Sequence, residues 1–420
     1  MAEKLIVKNF AGIKELEIEV KSINILIGPQ ASGKSVCAKL LFYFKSFATD
    51  ILFAAQHQQT KRNIDSSYKN KFKQYFPPES WENTDFLIRY EIADVFIEIT
   101  KSQRSSRGIL LKYSDFYNKK LLPEIRLILE KEVENKYFYG KKDEQEITRE
   151  INKQLVEYLN KYLGKEAGFF QVFIPAGRSF FAQFESSIFS LLESNSVIDP
   201  FLIAFGSWYQ MLKRISVLMK QDDSPEGKEI NNKVYKIIEE TLCGEYIHKN
   251  GKDFLKTTDG RLINVANSSS GQQETLPLLI MLAALPFAMR GQTVYIEEPE
   301  AHLFPSAQRN ITELIATVFN SRKEQLQFFI TTHSPYILTS INNLLQAGSL
   351  YEQSISLDEL EKIVPRYKAL MLSDLSAYAL ENGKCTTIVC PDTGLIDANV
   401  IDSISNDLAI EFDKLLNLIE

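Results

Sequence analysis

The sequence predicts an α/β protein on two observations. Uncharged or alternating runs of isoleucine, leucine and valine, such as Ile23–Ile27, are typical of strands, and they are interspersed with longer apolar patterns at helical spacing. The stretch Ile25–Leu41, ILIGPQASGKSVCAKLL, passes from a strand pattern through a glycine loop directly into a helical pattern. A strand, a tight loop and a helix in this order form the unit from which α/β sheets are built.

Composition limits the classes of function. The 420 residues carry a formal net charge of −6, with 45% hydrophobic and 24% charged residues, which is typical of a globular protein of two or three domains. The net negative charge argues against binding nucleic acid or membrane over the whole surface. The four cysteines are scattered, which indicates neither a zinc site nor a disulfide framework. Since no signal peptide or membrane-spanning run is evident, we expect a soluble, cytoplasmic protein without a membrane partner.

The loop GPQASGKS fits the pattern G-x-x-x-x-G-K-[ST] between a strand and a helix. The two glycines let the backbone turn tightly, so that N–H groups and the positive end of the helix dipole point at phosphate oxygens. The lysine is expected to reach the β- and γ-phosphates of ATP, and the following serine to ligate Mg²⁺. The predicted nucleotide-binding residues are Gly28, Pro29, Gln30, Ala31, Ser32, Gly33, Lys34, Ser35 and Val36.

The first part of the chain divides around this loop. Residues 1–48 hold a small β-subdomain and the helix that follows the loop, and residues 49–165 read as an insertion. Within the insertion, YKNKFKQYF at Tyr68–Phe76 interleaves lysines with aromatics, which is typical of single-strand binding or of an amphipathic surface helix, and we favour the helix. Two strand patterns, over 86–100 and 108–113, are joined by a polar turn and are expected to extend the N-terminal sheet. The charged helical hairpin Leu121–Leu163 is either a solvated face or a docking arm, and both stay open.

The region 166–350 begins with a short strand pattern, Gln171–Ile174, which ends in PAGR. Arg178 in this segment is a candidate to contact phosphate or to couple the site to a partner; an ordinary surface arginine is the alternative. Helical patterns follow over 180–242, and a β-meander is predicted over 246–263.

The stretch ANSSSGQQETL precedes an apolar helical pattern. A helix N-terminus with a serine hydroxyl offers unpaired N–H groups to an anion. A serine-rich helix cap would account for the same letters, but the position between the meander and the next motif favours an anion site. The residues predicted to make this contact are Ser269, Gly271 and Gln272.

Two strand patterns then end in chemistry-bearing side chains. TVYIEE at Thr293–Glu298 ends in an acidic pair followed by PEAHL, and QFFITT is followed by His333. We expect Glu297 to hold Mg²⁺ together with Ser35, and Glu298 to polarise the attacking water or act as its general base. His333 is a further candidate catalytic residue, because it too comes at the end of an apolar strand pattern.

Taken together, these motifs resemble ABC-type ATPase heads of the OLD/RecF-like (AAA_15-like) group. The resemblance is carried by LIVKNFAGIKELEIEV…INILIGPQASGKS, IPAGR, SSSGQ, EEPEAH and TTHSP. The sequence departs from the ABC pattern in three places. The usual Q-loop glutamine is missing, two serines replace the leucine and first glycine of the signature, and the first Walker B acid is glutamate where aspartate is usual.

The resemblance implies a P-loop NTPase head of ABC type with an N-terminal antiparallel β-subdomain, a helical subdomain and helical insertions, followed by a C-terminal region over 351–420. It implies ATP hydrolysis in a head-to-tail homodimer, or a higher oligomer built from it. The signature serine, Ser269, would contact the γ-phosphate held by the second copy, and His333 would sense that phosphate. Lys34, Glu298 and His333 would form the catalytic set.

The resemblance further implies that the heads switch a separate effector, such as a nuclease or toxin, in antiphage defence. The C-terminal region shows neither the strand-borne glutamate nor the Asp-x-Asp pair of the Toprim nuclease domain that OLD-class proteins carry. Two other functions stay open: a DNA-repair or chromosome-organising clamp with nucleic acid as its partner, and the nucleotide-binding subunit of a transporter. The RecF-like opening and the missing Q-loop glutamine argue against the transporter.

Overall fold

The computed structural model describes residues 2–139, 144–183, 199–219, 224–249, 251–397 and 410–415. Within these ranges the strands form one eleven-stranded and one three-stranded sheet. The strands are β1 (Glu3–Phe10), β2 (Ile13–Val20), β3 (Ile23–Ile27), β4 (Leu87–Ile92), β5 (Val95–Lys101), β6 (Ile109–Tyr113), β7 (Phe170–Ile174), β8 (Gly244–Lys249), β9 (Lys252–Thr257), β10 (Leu262–Asn264), β11 (Gln292–Glu297), β12 (Leu326–Thr332), β13 (Leu375–Glu381) and β14 (Lys384–Thr387).

The α-helices of the described ranges, numbered in chain order, are α1 (Lys34–Lys45), α2 (Phe47–Gln56), α3 (Lys61–Tyr75), α4 (Leu122–Tyr139), α5 (Glu144–Leu163), α6 (Phe180–Gln183), α7 (Pro200–Met219), α8 (Pro225–Leu242), α9 (Ser270–Ala284), α10 (Pro305–Ser321), α11 (Pro335–Glu352) and α12 (Leu357–Ile363). None of these helices combines the length and apolar character that crossing a lipid bilayer requires.

One half of the large sheet is parallel, in the order β13-β3-β12-β11-β7. Every residue of β3 and of β12 is buried, because helices cover both faces of the sheet, as is usual for parallel strands. The uncharged run before the glycine loop is therefore a fully buried strand, as the sequence predicts. The carboxyl ends of these five strands lie along one edge, and that edge carries the candidate site.

The other half is antiparallel, in the order β6-β5-β4-β1-β2. Strand β2 alternates between its two faces, with Leu16 and Ile18 buried and the neighbouring glutamates exposed. The long strand pattern over 86–100 is a hairpin, since Ala93 turns the chain with φ 49° between β4 and β5. Strand β4 pairs with β1, so the insertion extends the N-terminal sheet as expected.

The hairpin β13–β14 joins the two halves. Its turn lies at Asn382-Gly383, and the Gly383 carbonyl accepts hydrogen bonds from the N–H groups of Lys14 and Glu15 at 2.7 and 3.0 Å. Strand β13 pairs in parallel with β3, while β14 pairs with β2. The expected C-terminal region over 351–420 thus supplies a central strand of the sheet, and the sheet runs without a break across the boundary at residue 350.

The two competing interpretations of the basic–aromatic stretch are decided by burial. Tyr68, Phe72 and Phe76 are buried and pack in the core that includes Phe10. Lys71, between them, pairs with Asp50 at 2.8 Å. The stretch is therefore an amphipathic helix, α3, with its aromatic face inward. Helices α4 and α5 also turn apolar side chains into this core: Ile125, Ile128, Ile151 and Leu155. The turn between α4 and α5 lies outside the described residues.

Candidate active site

The carboxyl ends of the parallel strands bring the predicted motifs together. The loop Gly28–Ser35 follows β3, Glu298 follows β11, His333 follows β12, and Arg178 follows β7. Ligands of open α/β sheets bind at this edge, where strand ends and helix N-termini converge. Four motifs that lie far apart in the sequence therefore share one site.

The glycines of the loop are required by their neighbours. A Cβ on Gly28 would stand 2.2 Å from the backbone oxygen of Leu380 in β13, and a Cβ on Gly33 would stand 2.7 Å from Cγ1 of Ile13. Gly33 also has φ 103°, in the left-handed region that favours glycine. The loop thus lies against the C-terminal hairpin on one side and the first residue of β2 on the other.

Lys34 lies over the loop at the start of α1 and is buried. Its Nζ donates to the backbone oxygens of Gly28 and Pro29 at 2.9 and 2.8 Å and lies 3.4 Å from Nδ1 of His333. Burial lowers the pKa of Lys34, and the nearby carboxylate of Glu298 opposes this shift. The loop carbonyls thus hold the ammonium group over the glycine loop, where a phosphate-binding lysine is required.

His333 links Lys34 to Glu298. An ammonium group can only donate, so Nδ1 of His333 accepts from Lys34, and the opposite nitrogen Nε2 carries the proton. This Nε2–H donates to Oε1 of Glu298 at 3.0 Å. The hydrogen bond from His333 lowers the pKa of Glu298, so this carboxyl is ionised near neutral pH. Glu298 has φ 45°, a backbone conformation that glutamate seldom adopts and that marks a constrained functional position.

Glu297 has the properties of a metal ligand. Its side chain is buried, Oε2 accepts from the N–H of Ala176 at 3.2 Å, and Oε1 has no hydrogen-bond partner. Burial raises the pKa of Glu297, while Lys39, the Ala176 N–H and the Ser35 hydroxyl act in the opposite direction. An unpartnered, buried carboxylate oxygen beside a serine hydroxyl fits a hard divalent cation.

Mg²⁺ in such sites is usually held by one or two protein ligands together with substrate phosphates and water. In the described part of the chain, no group of three or more His, Cys, Asp or Glu side chains is arranged to hold a metal ion. Ser35 and Glu297 are consistent with that limited contribution from the protein. Together with the loop and Lys34, they can bind a triphosphate, and Glu298 can orient water toward it.

Glu300 is a site residue that sequence reasoning missed. Its Oε1 accepts from the Thr332 hydroxyl at 2.8 Å and from the His333 N–H at 2.6 Å, and its Oε2 is buried without a partner. The carboxylate thereby fixes the backbone from which the His333 imidazole projects. The signal was present in the sequence as the third acid of EEPEAH.

Arg178 has partners other than those expected. The side chain is wholly buried, and its guanidinium hydrogen bonds run to backbone oxygens of Pro175, Glu274, Glu297 and Glu298. Among the described residues, none of its hydrogen bonds reaches the loop after β3. This placement favours a role in holding the acidic pair over direct contact with phosphate. Glu274, which pairs with it, was not singled out by the sequence.

Ser269, Gly271 and Gln272 form the N-terminus of α9. Ser269 caps the helix by accepting from the Gln272 N–H, and the Gln272 side chain returns to the Ser269 N–H while also donating to Leu242. Gly271 lies against the His302 carbonyl, which a Cβ would approach to 2.7 Å. Ser269 is exposed, and no hydrogen bond of the described chain joins this segment to the P-loop. The serine is available to another molecule.

Comparison with known proteins yields one family. The AAA_15 family, described as an AAA ATPase domain, matches residues 1–338. Similar solved structures include an SMC head domain from Thermotoga maritima, at 11% identity and TM-score 0.37 over 92% of this chain and 98% of that one. An Smc head bound to the C-winged helix domain of ScpA has 12% identity and a TM-score of 0.40, over 92% of this chain and 96% of that one. The recombination mediator RecF with ATP has 12% identity and a TM-score of 0.35, over 92% of this chain and 99% of that one. These TM-scores are too low to support an assignment.

Proposed function

This chain belongs to the AAA_15 family of AAA ATPase domains, and we propose that it hydrolyses ATP in a head-to-tail homodimer that switches a separate effector. The observation that carries the proposal is the linked set of Lys34, His333 and Glu298 at the carboxyl edge of the sheet. The set joins a phosphate-binding lysine to an ionised carboxylate through one imidazole. Such an arrangement suits phosphoryl transfer to water, in which the protein supplies positioning and charge.

Each residue of the site has a task in this proposal. Loop amides and Lys34 hold the β- and γ-phosphates, with Lys34 exchanging its loop carbonyl partners for phosphate oxygens. Ser35 and Glu297 would hold Mg²⁺, and the bound ion would supply positive charge to offset that of the phosphates. Glu298 accepts a hydrogen bond from the attacking water, and the His333 Nε2–H fixes the carboxylate in that orientation.

The chain's own contacts support the dimer. Ser269 and the first N–H groups of α9 are an anion-binding arrangement that no hydrogen bond ties to the P-loop of the same chain within the described residues. A second copy, arranged head to tail, would bring this segment to the γ-phosphate. The site of each copy is then completed by the other, and ATP binding is linked to closing of the pair.

Replacing Glu298 by glutamine tests the hydrolytic assignment. The amide keeps the size of the side chain but cannot take a proton or polarise water as a carboxylate does, so we expect ATP turnover to fall roughly a hundredfold or more. ATP-dependent dimerisation, followed by light scattering, should persist. Glu359→Gln, a change at an exposed surface glutamate, serves as the matched control. Turnover equal to that of the unaltered protein would rule out this role for Glu298.

Replacing Ser269 by arginine tests the dimer. A long charged side chain at the cap would occupy the place of the γ-phosphate contact, so dimerisation with ATP should be lost while ATP binding to each single copy remains. Ser105→Arg, at an exposed turn of the insertion, controls for added charge. A Ser269→Arg protein that still dimerises with ATP would show that this segment is not the signature contact.

The effector, its part in antiphage defence and a cytoplasmic location are supported by the resemblance described above and belong to the same proposal. The Glu298→Gln protein is expected to stay in its ATP-bound state, so it can be used to isolate an effector by co-purification. A purified partner must then change its activity with the nucleotide state of this chain. Stimulation of hydrolysis by DNA, falling steeply with salt, would instead favour the DNA-clamp alternative.

A further inference from the structure

A single arginine joins the signature helix to the acidic pair. Arg178 has 0% exposure, and Glu274, with which its Nε forms an ion pair at 3.4 Å, has 1%. Burying a guanidinium group is costly unless all of its donors find acceptors. Burial indeed lowers the pKa of Arg178, against the raising effect of Glu274. A guanidinium group buried this deeply needs hydrogen-bond acceptors around it, and the segments that supply those acceptors are the ones that Arg178 connects.

The partners come from three segments. Nη1 donates to the carbonyls of Pro175 and Glu297 at 2.9 and 2.7 Å, and Nη2 donates to the carbonyl of Glu298 at 3.0 Å. Nε donates to the backbone oxygen of Glu274 at 3.3 Å. In return, the two carboxylate oxygens of Glu274 accept the N–H groups of Arg178 and Ser179 at 2.8 and 2.7 Å. Four of the five N–H donors of the guanidinium are thus hydrogen-bonded to backbone oxygens.

This network holds the constrained part of the site. Arg178 binds the carbonyls of both Glu297 and Glu298, and Glu298 is the residue with φ 45°. Such a conformation persists only where surrounding contacts enforce it. Glu274 stands on α9, whose first residue follows Ser269. A shift at the exposed cap of α9 therefore has a direct route, through Glu274 and Arg178, to the backbone that aims the Glu298 carboxylate.

We propose that Arg178 is a positioning residue that makes the orientation of Glu298 depend on the signature helix of the same chain. This inference rests on the proposed dimer, in which Ser269 of one copy meets the nucleotide held by the other. ATP at one site is then sensed by α9 of the neighbouring chain and relayed to that chain's own Glu298. The two sites therefore hydrolyse ATP together, and neither site hydrolyses its ATP while the other is empty.

The first test is the Arg178→Lys protein, which keeps the positive charge but loses the planar guanidinium that holds the carbonyls of Glu297 and Glu298. We expect its Kd for a fluorescent ATP analogue to stay within threefold, its kcat to fall ten- to a hundredfold, and its Hill coefficient for ATP to drop from near 2 to near 1. Arg322→Lys is the matched control, because Arg322 also donates to a backbone carbonyl, that of Leu285, away from the site. A cooperative Arg178→Lys enzyme would overturn the inference.

Mixed dimers, purified through two different tags, locate the effect within a chain. With Arg178→Lys and Glu298→Gln on the same chain beside an unaltered partner, the rate should equal that of a dimer carrying Glu298→Gln alone on one chain. With the two changes on opposite chains, the only working Glu298 lacks its clamp, and the rate should fall ten- to a hundredfold. Equal rates in the two arrangements, or the reverse order, would overturn the relay.

A second variant keeps the test decisive if Arg178→Lys does not fold. Glu274→Gln preserves the shape of the side chain, but its amide group faces one of the two N–H groups that now donate to the Glu274 carboxylate. With Glu274→Gln in place of Arg178→Lys, we expect the ATPase rates of the two mixed dimers to differ about tenfold. The proposed function and the relay fail in different ways. Normal rates in both mixed dimers, beside an inactive Glu298→Gln homodimer, remove the relay alone. An active Glu298→Gln homodimer removes both.

Discussion

Replacing Leu380 by alanine would open a cavity beneath the phosphate-binding loop. Leu380 is wholly buried; its Cδ2 lies 3.6 Å from where a Cβ would stand on Gly33, and its backbone oxygen lies against Gly28. A buried leucine-to-alanine change costs about 2–5 kcal/mol of unfolding free energy. Since the loop is one of the segments around the cavity, we expect roughly 1 kcal/mol of that loss, about fivefold in Kd, to appear as weaker ATP binding.

The assay compares two matched changes. Leu314→Ala removes an equally buried leucine from α10 in the separate core cluster on the other side of the parallel sheet. Both proteins should lose about 3 kcal/mol in urea unfolding, but only Leu380→Ala should bind a fluorescent ATP analogue more weakly. Equal Kd values for the two variants would refute the claim that the C-terminal hairpin supports the loop.

Two further predictions concern stability. Lys45→Met leaves the buried carboxylate of Glu3 without the ammonium group that donates to it at 2.7 Å, so the free energy of unfolding should fall by about 3–5 kcal/mol. Lys4→Met is the control: it breaks the exposed ion pair with Glu17 and should leave thermal stability unchanged. Burial acts to raise the pKa of Glu313, but hydrogen bonds from two basic side chains outweigh it and the pKa is lowered. A lowered pKa contributes stability that is fully present above the ordinary carboxyl pKa and is lost as pH falls through the lowered value. Glu313→Gln should therefore be less stable than the unaltered protein at pH 7, and urea unfolding should show the difference shrinking as the pH is lowered through that range.

The local elements were largely predictable. Strand β3 begins and ends at the predicted residues, and the glycine loop leads into a helix. The acidic pair lies at the end of a buried strand, and His333 follows another, as expected. These features depend on side-chain periodicity and on turn chemistry, which act over a few residues. The α/β class followed from the order of such elements.

The partners within the site were less predictable. Arg178 was expected to face phosphate or a partner, and its guanidinium instead binds backbone carbonyls. Glu274 carries no local signal that separates it from a surface glutamate, and Glu300 is marked only as the third acid of EEPEAH. Glu274 is nevertheless buried, and both carboxylates accept hydrogen bonds within the site. Hydrogen-bond satisfaction of a buried group depends on which segments meet around it, and that is settled by packing.

What the sequence alone determined is the set of chemical parts: a phosphate loop, a strand-end acid pair, a strand-end histidine and a serine-capped helix, in a fixed order. Tertiary structure decided which parts touch. Ser376 of β13 donates to Asn24 of β3 across 352 residues of chain at 2.8 Å, so the phosphate loop lies beside a C-terminal strand. Periodicity reports which face of a strand is buried, but the same pattern is satisfied by many neighbours. Only the folded sheet brings Leu380 against the loop and leaves one oxygen of Glu297 unpartnered beside Ser35.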